Sequence, residues 1–231
     1  MTTDPAPSAA TSSQPVPRIF LRPLATPLPL GFLGLAVATF VLSGLQLGWV
    51  PVGQAHQVAL VMLAFAFPAQ LIAALYGFLC RDAAAATGMG VLAGTWLTFG
   101  LITLAGPPGA TSETAGLLLL VAGPVLLVPA VAAATSKGVA GIVLFTAALR
   151  FLVTGAYQYS GDSGWKTAAG VIGAVLAAFA VYAALALELE GQHRRTVLPT
   201  LRRGGSTMAA QAGTAARVEA LAREPGVRGE L

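Results

Sequence analysis

Residues 23–80 read PLATPLPLGFLGLAVATFVLSGLQLGWVPVGQAHQVALVMLAFAFPAQLIAALYGFLC, a run of 58 residues without a single Asp, Glu, Lys or Arg. A membrane-spanning helix needs about 20 apolar residues, so this run is long enough for two spans. Pro51 and Gly53 mark a turn near its middle, at residues 49–54. The run therefore predicts a pair of spanning helices joined by a short connection.

The following sequence continues this pattern. Only five charged residues occur between residues 83 and 187, and all except Arg150 lie near Gly, Pro or Ser, which is typical of loops. The spacing predicts an all-α polytopic membrane protein with six transmembrane helices. The predicted helices cover residues 29–48, 55–79, 83–105, 115–134, 138–157 and 167–187.

Composition excludes a water-soluble globular protein. The chain has 231 residues, of which 56% are hydrophobic and 10% charged, and its mean hydropathy is +0.77. Soluble domains carry about 25% charged residues. A single cysteine, Cys80, excludes a disulfide framework and a multi-cysteine metal site.

The positions of the basic residues predict the orientation. Six spans place both termini and the second and fourth loops on one side, which collects Arg18, Arg22, Arg81, Lys137, Arg194, Arg195, Arg202 and Arg203. The opposite loops hold Lys166 alone. Both termini are therefore predicted to be cytoplasmic in an inner (plasma) membrane. The aromatic residues at the opposite boundary fit an interfacial belt: Trp49, Tyr157, Tyr159 and Trp165.

Three regions follow from these patterns. Residues 1–28 are rich in Pro, Ser and Thr and are predicted to form a disordered tail. Residues 29–199 are predicted to form the six-helix transmembrane domain, and residues 200–231 a cytoplasmic C-terminal tail. The arginines at 194, 195, 202 and 203 either contact anionic membrane lipids or are only the flanking charge of the last span.

Polar side chains within the spans mark candidate contacts for a small solute. Thr146, Arg150 and Thr154 follow one another at i, i+4 and i+8, within about 80° of one helix face. Thr98 lies in a similar group on the third span, and Gln70 lies in the second. These groups either line a polar path or simply bond to their own backbone and to neighbouring helices.

Arg150 is the most informative of these residues. A charge in the middle of a membrane costs at least about 2.5–3.5 kcal/mol, so it is normally paired or faces water. No acidic residue lies within the apolar spans to pair with it. A cation in a polar cavity without a fixed counter-ion favours an anionic substrate; the alternatives are that Arg150 extends to the interface or binds backbone carbonyls.

Several classes of protein find no support. There is no phosphate-binding loop, no Ser–His–Asp or Cys–His arrangement and no metal-ligand spacing, so neither an enzyme nor a bound cofactor or metal is predicted. Nucleic-acid binding is not expected either, because the basic residues are thinly spread. No acidic residue or histidine lies mid-span to relay protons, so proton-linked transport would carry the proton on the substrate, as a carboxylic acid.

Four stretches resemble one family. Residues 26–32, TPLPLGF, resemble the N-P-x-P-L-G-L signature of the acetate uptake transporter family, the succinate–acetate permease (YaaH/SatP-like) group. Ala69-Gln70, Trp96-Leu97-Thr98 and RTVLP at residues 195–199 are similar to later motifs of that family, in the same order. The resemblance covers residues 26–200. It implies a six-helix protomer, a hexamer, and passage of acetate or succinate past a hydrophobic constriction.

The resemblance also implies site residues. The family's constriction corresponds here to a gate of Leu35, Leu92 and Leu149. Thr26 replaces the family's Asn and is expected to cap the first helix, where the helix dipole favours an anion. Arg150 stands where the family pattern is uncharged. The predicted substrate-binding residues are Thr26, Gln70, Thr98, Thr146, Arg150 and Thr154.

The leading functional hypothesis is transport of small carboxylates, acetate first and succinate second, by proton-linked secondary transport or channel-like permeation. One alternative is movement of ammonia or ammonium, against which the charge of Arg150 argues. Another is a membrane scaffold that transports nothing and needs no polar stripe.

Overall fold

The structure, a computed structural model, describes residues 24–193 and 195–201. Most of both predicted tails lies outside the described residues. This applies to residues 1–23 of the N-terminal tail, with its predicted disorder, and to residues 202–231 of the C-terminal tail. The same holds for Arg18, Arg22, Arg194, Arg202 and Arg203. Within the described residues, every element is a helix. Six helices are long and apolar enough to cross a membrane, which confirms the predicted fold class.

Seven α-helical segments build these six spans. They are α1 (Leu28–Gln46), α2 (Ala55–Val61), α3 (Phe67–Leu79), α4 (Ala83–Ala105), α5 (Glu113–Ser136), α6 (Gly138–Ser160) and α7 (Ser163–His193). α2 and α3 belong to one span, Val52–Leu79, which opens with a short 3-10 turn, Val52–Gln54. The bounds agree with the predicted ones to within a few residues, except that α7 starts earlier and ends later.

The second span contains one π-helical turn, Met62–Ala66, between α2 and α3. It closes with a bond from the backbone N–H of Phe67 to the carbonyl of Met62. Pro68 follows at once and has no N–H to donate to the regular ladder. The wider turn therefore accommodates the proline without ending the span.

α5 and α6 form a tight antiparallel hairpin with only Lys137 between them. The Lys137 ammonium makes an ion pair with Asp82, which caps the start of α4. Further along the hairpin, a Cβ on Gly155 would lie 3.0 Å from the carbonyl oxygen of Gly116. Glycine at both positions lets the two backbones approach closely, as small residues do between membrane helices.

The spans pack as a closed ring. α1 contacts α7, α7 contacts α6, α6 contacts α5, α5 contacts α4, α4 contacts α3, and α3 returns to α1. The side chains that the ring encloses are nearly all apolar and fully buried. They include Phe32, Leu35 and Leu42 of α1, Met89, Leu92 and Trp96 of α4, Leu126 of α5, Val143 and Leu144 of α6, and Leu176 of α7.

The ring has two distinct ends, named here after their lysines. At the Lys137 end, the backbone N–H groups of Gly138 and Val139 donate to the carbonyls of Leu201 and Thr200, which ties the C-terminal segment to the start of α6. At the Lys166 end, the loops after α1, α4 and α6 meet. Which end faces the cytoplasm stays a prediction.

Candidate functional site

Arg150 lies at the middle of the ring. It follows Gly138 by twelve residues and precedes Ser160 by ten, so it is about 18 Å and 15 Å from the two ends of α6. Its side chain is only 1% exposed, which makes it the largest fully buried side chain among the described residues. Arg150 therefore does not extend to the interface but stays inside the protein.

Two neighbouring spans hold the guanidinium. Its Nη2 donates a hydrogen bond to Oε1 of Gln46, in the last turn of α1, at 3.2 Å. On α7, Gly173 leaves room for the group, since a Cβ there would lie 2.6 Å from Cζ and Nε of Arg150 and would overlap Oγ of Ser43. Arg150 is thus seated between α1 and α7.

No carboxylate neutralises this charge in the part of the chain that the structure describes. The Gln46 amide is the acceptor recorded for Arg150, while Nε and Nη1 lie buried without a partner among residues 24–193 and 195–201. An uncompensated buried charge is costly in membrane and protein alike. An anion beside the guanidinium would offset this cost.

A small cavity borders Arg150, and we call it the inner cavity. Its volume is about 10 Å³. Its lining comes from α1, α4, α5 and α6: Leu42, Thr95, Trp96, Phe99, Leu119, Arg150, Phe151 and Thr154. Although Arg150 and two threonines border it, the surface that faces the inner cavity is apolar.

A second cavity, the Lys166 cavity, lies toward the Lys166 end and has a volume of about 40 Å³. Its polar lining includes Gln46, Thr103, Tyr157, Gln158 and Lys166. Leu42 and Phe99 border both cavities. The two cavities therefore share an apolar boundary.

The structure buries two of the three predicted gate leucines inside the ring. Leu35 and Leu92 are fully buried in the core, and both lie nearer the Lys137 end than the inner cavity does. Leu149 does not join them, because its side chain is 50% exposed on the outer surface of the ring. Residues adjacent on a helix point about 100° apart, so burying Arg150 turns Leu149 outward.

The predicted polar residues divide into two groups. Thr154 is buried and lines the inner cavity beside Arg150. Thr98 is exposed and donates to the carbonyl of Gly94, and the half-buried Thr146 donates to that of Ile142. These two hydroxyls thus bond to their own helices, as membrane threonines commonly do.

The start of α1 differs from the expectation. Pro27, not Thr26, occupies the N-cap position, and no side chain caps the helix; Thr26 is exposed. The predicted cap was therefore wrong: α1 starts at Leu28, so Pro27 is the residue just before it and Thr26 lies in the preceding segment. Gln70 is buried, and its Nε2 donates to the carbonyl of Gly31 at 3.3 Å, which ties α3 to the first turn of α1.

Sequence reasoning missed Gln46 and Trp96 as neighbours of the charge. Gln46 carries the one side-chain amide of α1. A lone amide in one span is a natural hydrogen-bond partner for a lone arginine in another, so the sequence did contain a signal for this pair. Trp96 was noticed only as part of a motif, and its role depends on which face of α4 points inward. Within the described residues, no group of three His, Cys, Asp or Glu side chains is placed to hold a metal ion.

The comparisons with known proteins agree with this architecture. The sequence profile of the GPR1/FUN34/yaaH family matches residues 9–202. The chain belongs to the GPR1/FUN34/yaaH family. No curated protein matches the sequence significantly.

A solved structure supports the same assignment. The chain is similar to a structure described as the bacterial acetate channel SatP, with 25% sequence identity and a TM-score of 0.69. The match covers 77% of this chain and 99% of that one. Six apolar helices and likeness to a channel together indicate a multi-pass membrane protein of the acetate transporter family.

Proposed function

We propose that this GPR1/FUN34/yaaH family member passes small carboxylates, acetate before succinate, across a membrane through the centre of its helix ring. Family membership and likeness to an acetate channel over nearly the whole of that channel support the substrate class. The observation that carries the proposal is the buried guanidinium of Arg150, without a carboxylate partner among the described residues.

The proposed route follows the two cavities. A carboxylate is attracted by Lys166, crosses between Leu42 and Phe99, and reaches Arg150 and Thr154 in the inner cavity. Toward the Lys137 end, the buried Leu35 and Leu92 serve as a two-leucine gate that keeps the route dry until a substrate passes.

The remaining predicted substrate-binding and gate residues are not part of the proposed route. Thr98 and Leu149 lie on the exposed face of the ring and Thr146 bonds to its own helix, so we leave them outside the route. Thr26 lies at the exposed Lys137 end. Gln70 is assigned to holding the first turn of α1 in place.

Channel-like permeation suits these spans better than a relay of protons through the protein. In the described spans, Asp, Glu and His occur only within the terminal turns, as with His56, Glu113 and Glu188. Any proton-linked movement would therefore carry the proton on the substrate. Arg150 disfavours ammonium, the alternative cargo, by charge repulsion.

Two arguments support the setting of the protomer: the family resemblance for the oligomer and the positions of the basic residues for the orientation. We propose a hexamer in the inner (plasma) membrane with both termini cytoplasmic. The many large apolar side chains on the outside of the ring support contact with lipid and with neighbouring copies.

The test is uptake of radiolabelled acetate into vesicles that contain the purified full-length chain, with and without an inward proton gradient. Succinate, lactate and ammonium serve as competitors. The proposal expects uptake well above that of empty vesicles, with competition by lactate stronger than by succinate and no competition by ammonium. Absence of uptake by folded protein, or competition by ammonium alone, would overturn it.

A further inference from the structure

Residues 196–201, which we call the C-terminal strap, fold back onto α6 and α7. The last two residues of the strap accept hydrogen bonds from the first two backbone N–H groups of α6, which an α-helix leaves unpaired. The Tyr182 hydroxyl of α7 donates to the carbonyl of Pro199 at 3.1 Å. A Cβ on Gly138 would lie 2.6 Å from the carbonyl oxygen of Leu201, so glycine is needed for this close contact. The strap is therefore fixed against both helices at the Lys137 end.

An apolar groove lies between the strap and the two helices, and we call it the strap groove. Its volume is about 270 Å³, larger than that of the inner cavity or the Lys166 cavity. The side chains that line it are all apolar or aromatic: Val139, Ile142, Val143, Phe179, Tyr182, Pro199 and Leu201. Val139 and Val143 are buried. Ile142, Phe179 and Leu201 are 42–52% exposed, so the groove opens to the outside of the ring.

The position of the strap groove suits a lipid. Its α6 residues, 139–143, lie within about 8 Å of the start of that helix. The outside of a membrane-spanning ring is surrounded by acyl chains, which are as apolar as leucine side chains. An acyl chain can therefore enter the groove while its headgroup stays near the polar end of the helices.

Basic residues flank the strap on both sides in the sequence. Residues 194–203 read RRTVLPTLRR, with four arginines and no acidic residue. Arg195 is exposed, and Arg202 directly follows the last residue that lines the groove. The acidic residues that precede this stretch most closely are Glu188 and Glu190, so positive charge prevails. Basic clusters beside membrane spans attract anionic lipid headgroups.

We propose that the strap groove binds one phospholipid with an anionic headgroup. One acyl chain lies in the groove against Val139 and Phe179, and the headgroup phosphate is bound by arginines at the two ends of the strap, Arg195, Arg202 and Arg203. Arg202 and Arg203 enter the proposal by their place in the sequence, directly after the strap. The site is separate from the route through the ring and does not depend on what passes along that route.

Charge also favours a lipid over a protein occupant. A second copy of this chain would bring the same excess of arginines to the groove, and like charges repel. At the Lys137 end, Asp82 is already paired with Lys137. The chain's own tail, residues 204–231, carries three arginines and three glutamates and so offers no net negative charge. An anionic headgroup neutralises the arginines instead.

The experiment is photo-crosslinking of the full-length chain in vesicles of phosphatidylcholine and phosphatidylglycerol. A trace of one of the two lipids carries a diazirine within an acyl chain, so irradiation attaches it to the side chains that it touches. Mass spectrometry of peptides then locates the attachment. Val121 and Val128, exposed on α5 and far from the strap in sequence, report contact with the bulk lipid.

The expected result is preferential labelling of the strap groove by the phosphatidylglycerol probe. Relative to Val121 and Val128, it should label residues 139–143 and 179–182 about tenfold more than the phosphatidylcholine probe does, because arginines near the headgroup add attraction for negative charge. The double variant R202Q/R203Q should lose this preference. R18Q/R22Q, which removes two arginines ahead of α1, should keep it.

A second pair of variants tests the groove itself. I142W fills the groove and should lower its labelling by both probes. I72W adds the same side chain at an equally exposed position of α3 and should leave labelling of the groove unchanged. Circular dichroism checks that each variant is folded; the arginine variants change only flanking charges, so they test the proposal even if I142W fails to fold.

Three results would overturn the lipid site. The first is equal labelling of the groove by both probes in the original chain. The second is a preference for phosphatidylglycerol that R202Q/R203Q leaves unchanged. The third is labelling of the groove far below that of Val121 and Val128 with both probes, which would mean that a second copy or the C-terminal tail covers it.

Discussion

Nη2 of Arg150 lies 3.2 Å from Oε1 of Gln46, so an uncharged amide partners the buried guanidinium in the described structure. The amide satisfies one donor and leaves the charge unbalanced. A glutamate at the same place would accept the hydrogen bond and also balance the positive charge permanently. Under the proposed function, a glutamine here leaves the arginine available to a passing anion, and this relationship yields the first prediction.

Gln46→Glu should lower acetate uptake by at least about tenfold, because a fixed carboxylate would compete with the substrate for Arg150. The same change should raise the Tm of the purified chain, because the buried guanidinium would gain a fixed partner of opposite charge. Gln57→Glu, at an exposed position of α2, is the matched control and should leave uptake unchanged. Normal uptake by the Gln46 variant would mean that acetate does not depend on the free charge.

Gly173→Ala should displace the guanidinium, since the new Cβ would lie 2.6 Å from two of its atoms and would overlap Oγ of Ser43. We expect a loss of about 1–3 kcal/mol in stability, as for overpacked sites. The acetate concentration for half-maximal uptake should also rise. Gly191→Ala, on the same helix with nothing within 4 Å of the added carbon, should change neither quantity.

The two-leucine gate predicts a gain of flux. Replacing Leu35 and Leu92 together by Ala should increase acetate uptake and admit larger acids such as butyrate, because two large apolar side chains are removed from the buried centre of the ring. Leu185→Ala, on the exposed face of α7, controls for loss of a leucine as such. We expect Leu149→Ala to behave like this control. A rise in flux for that variant instead would restore Leu149 to the gate.

Lys166→Gln should slow acetate uptake most at low ionic strength, by about two- to tenfold, and the difference should shrink as salt screens the charge. The measurement is the initial uptake rate at several salt concentrations. Arg195→Gln, at the opposite end of the ring, should show no such dependence on salt. A rate difference that is equal at all salt concentrations would point to a packing role for Lys166.

The fold was predictable because its signal is long and redundant. Charge-free runs of about 20 residues predicted six spans, and loop charges marked their ends to within a few residues for most helices. The ends of α7 were harder, because Glu188 and Glu190 lie in its last two turns, where charge is tolerated near the interface. The ring order of the helices depends on contacts that no single span reveals.

The site was predictable only in part. Periodicity shows which residues share one face of a helix, but not whether that face points into the ring or outward. Arg150 was found from its charge alone. Leu149 precedes it directly, and the sequence gives no reason to prefer one of the two positions as the inward one. Thr98 and Thr146 each lie in the predicted polar arc of their own span. Their hydroxyls nevertheless bond to backbone carbonyls one turn back along the same helix. Polar residues in a span thus indicate a path only when their own backbone leaves them unpaired.

Initial uptake of radiolabelled acetate by Arg150→Gln, side by side with Arg195→Gln and the original chain in matched vesicles, tests the central claim most directly. The account predicts that the Arg150 variant folds and assembles normally, transports acetate at least about tenfold more slowly, and loses discrimination between acetate and acetamide. The Arg195 variant should transport acetate at the original rate. Equal uptake by all three proteins, with acetate still preferred over acetamide, would contradict the account.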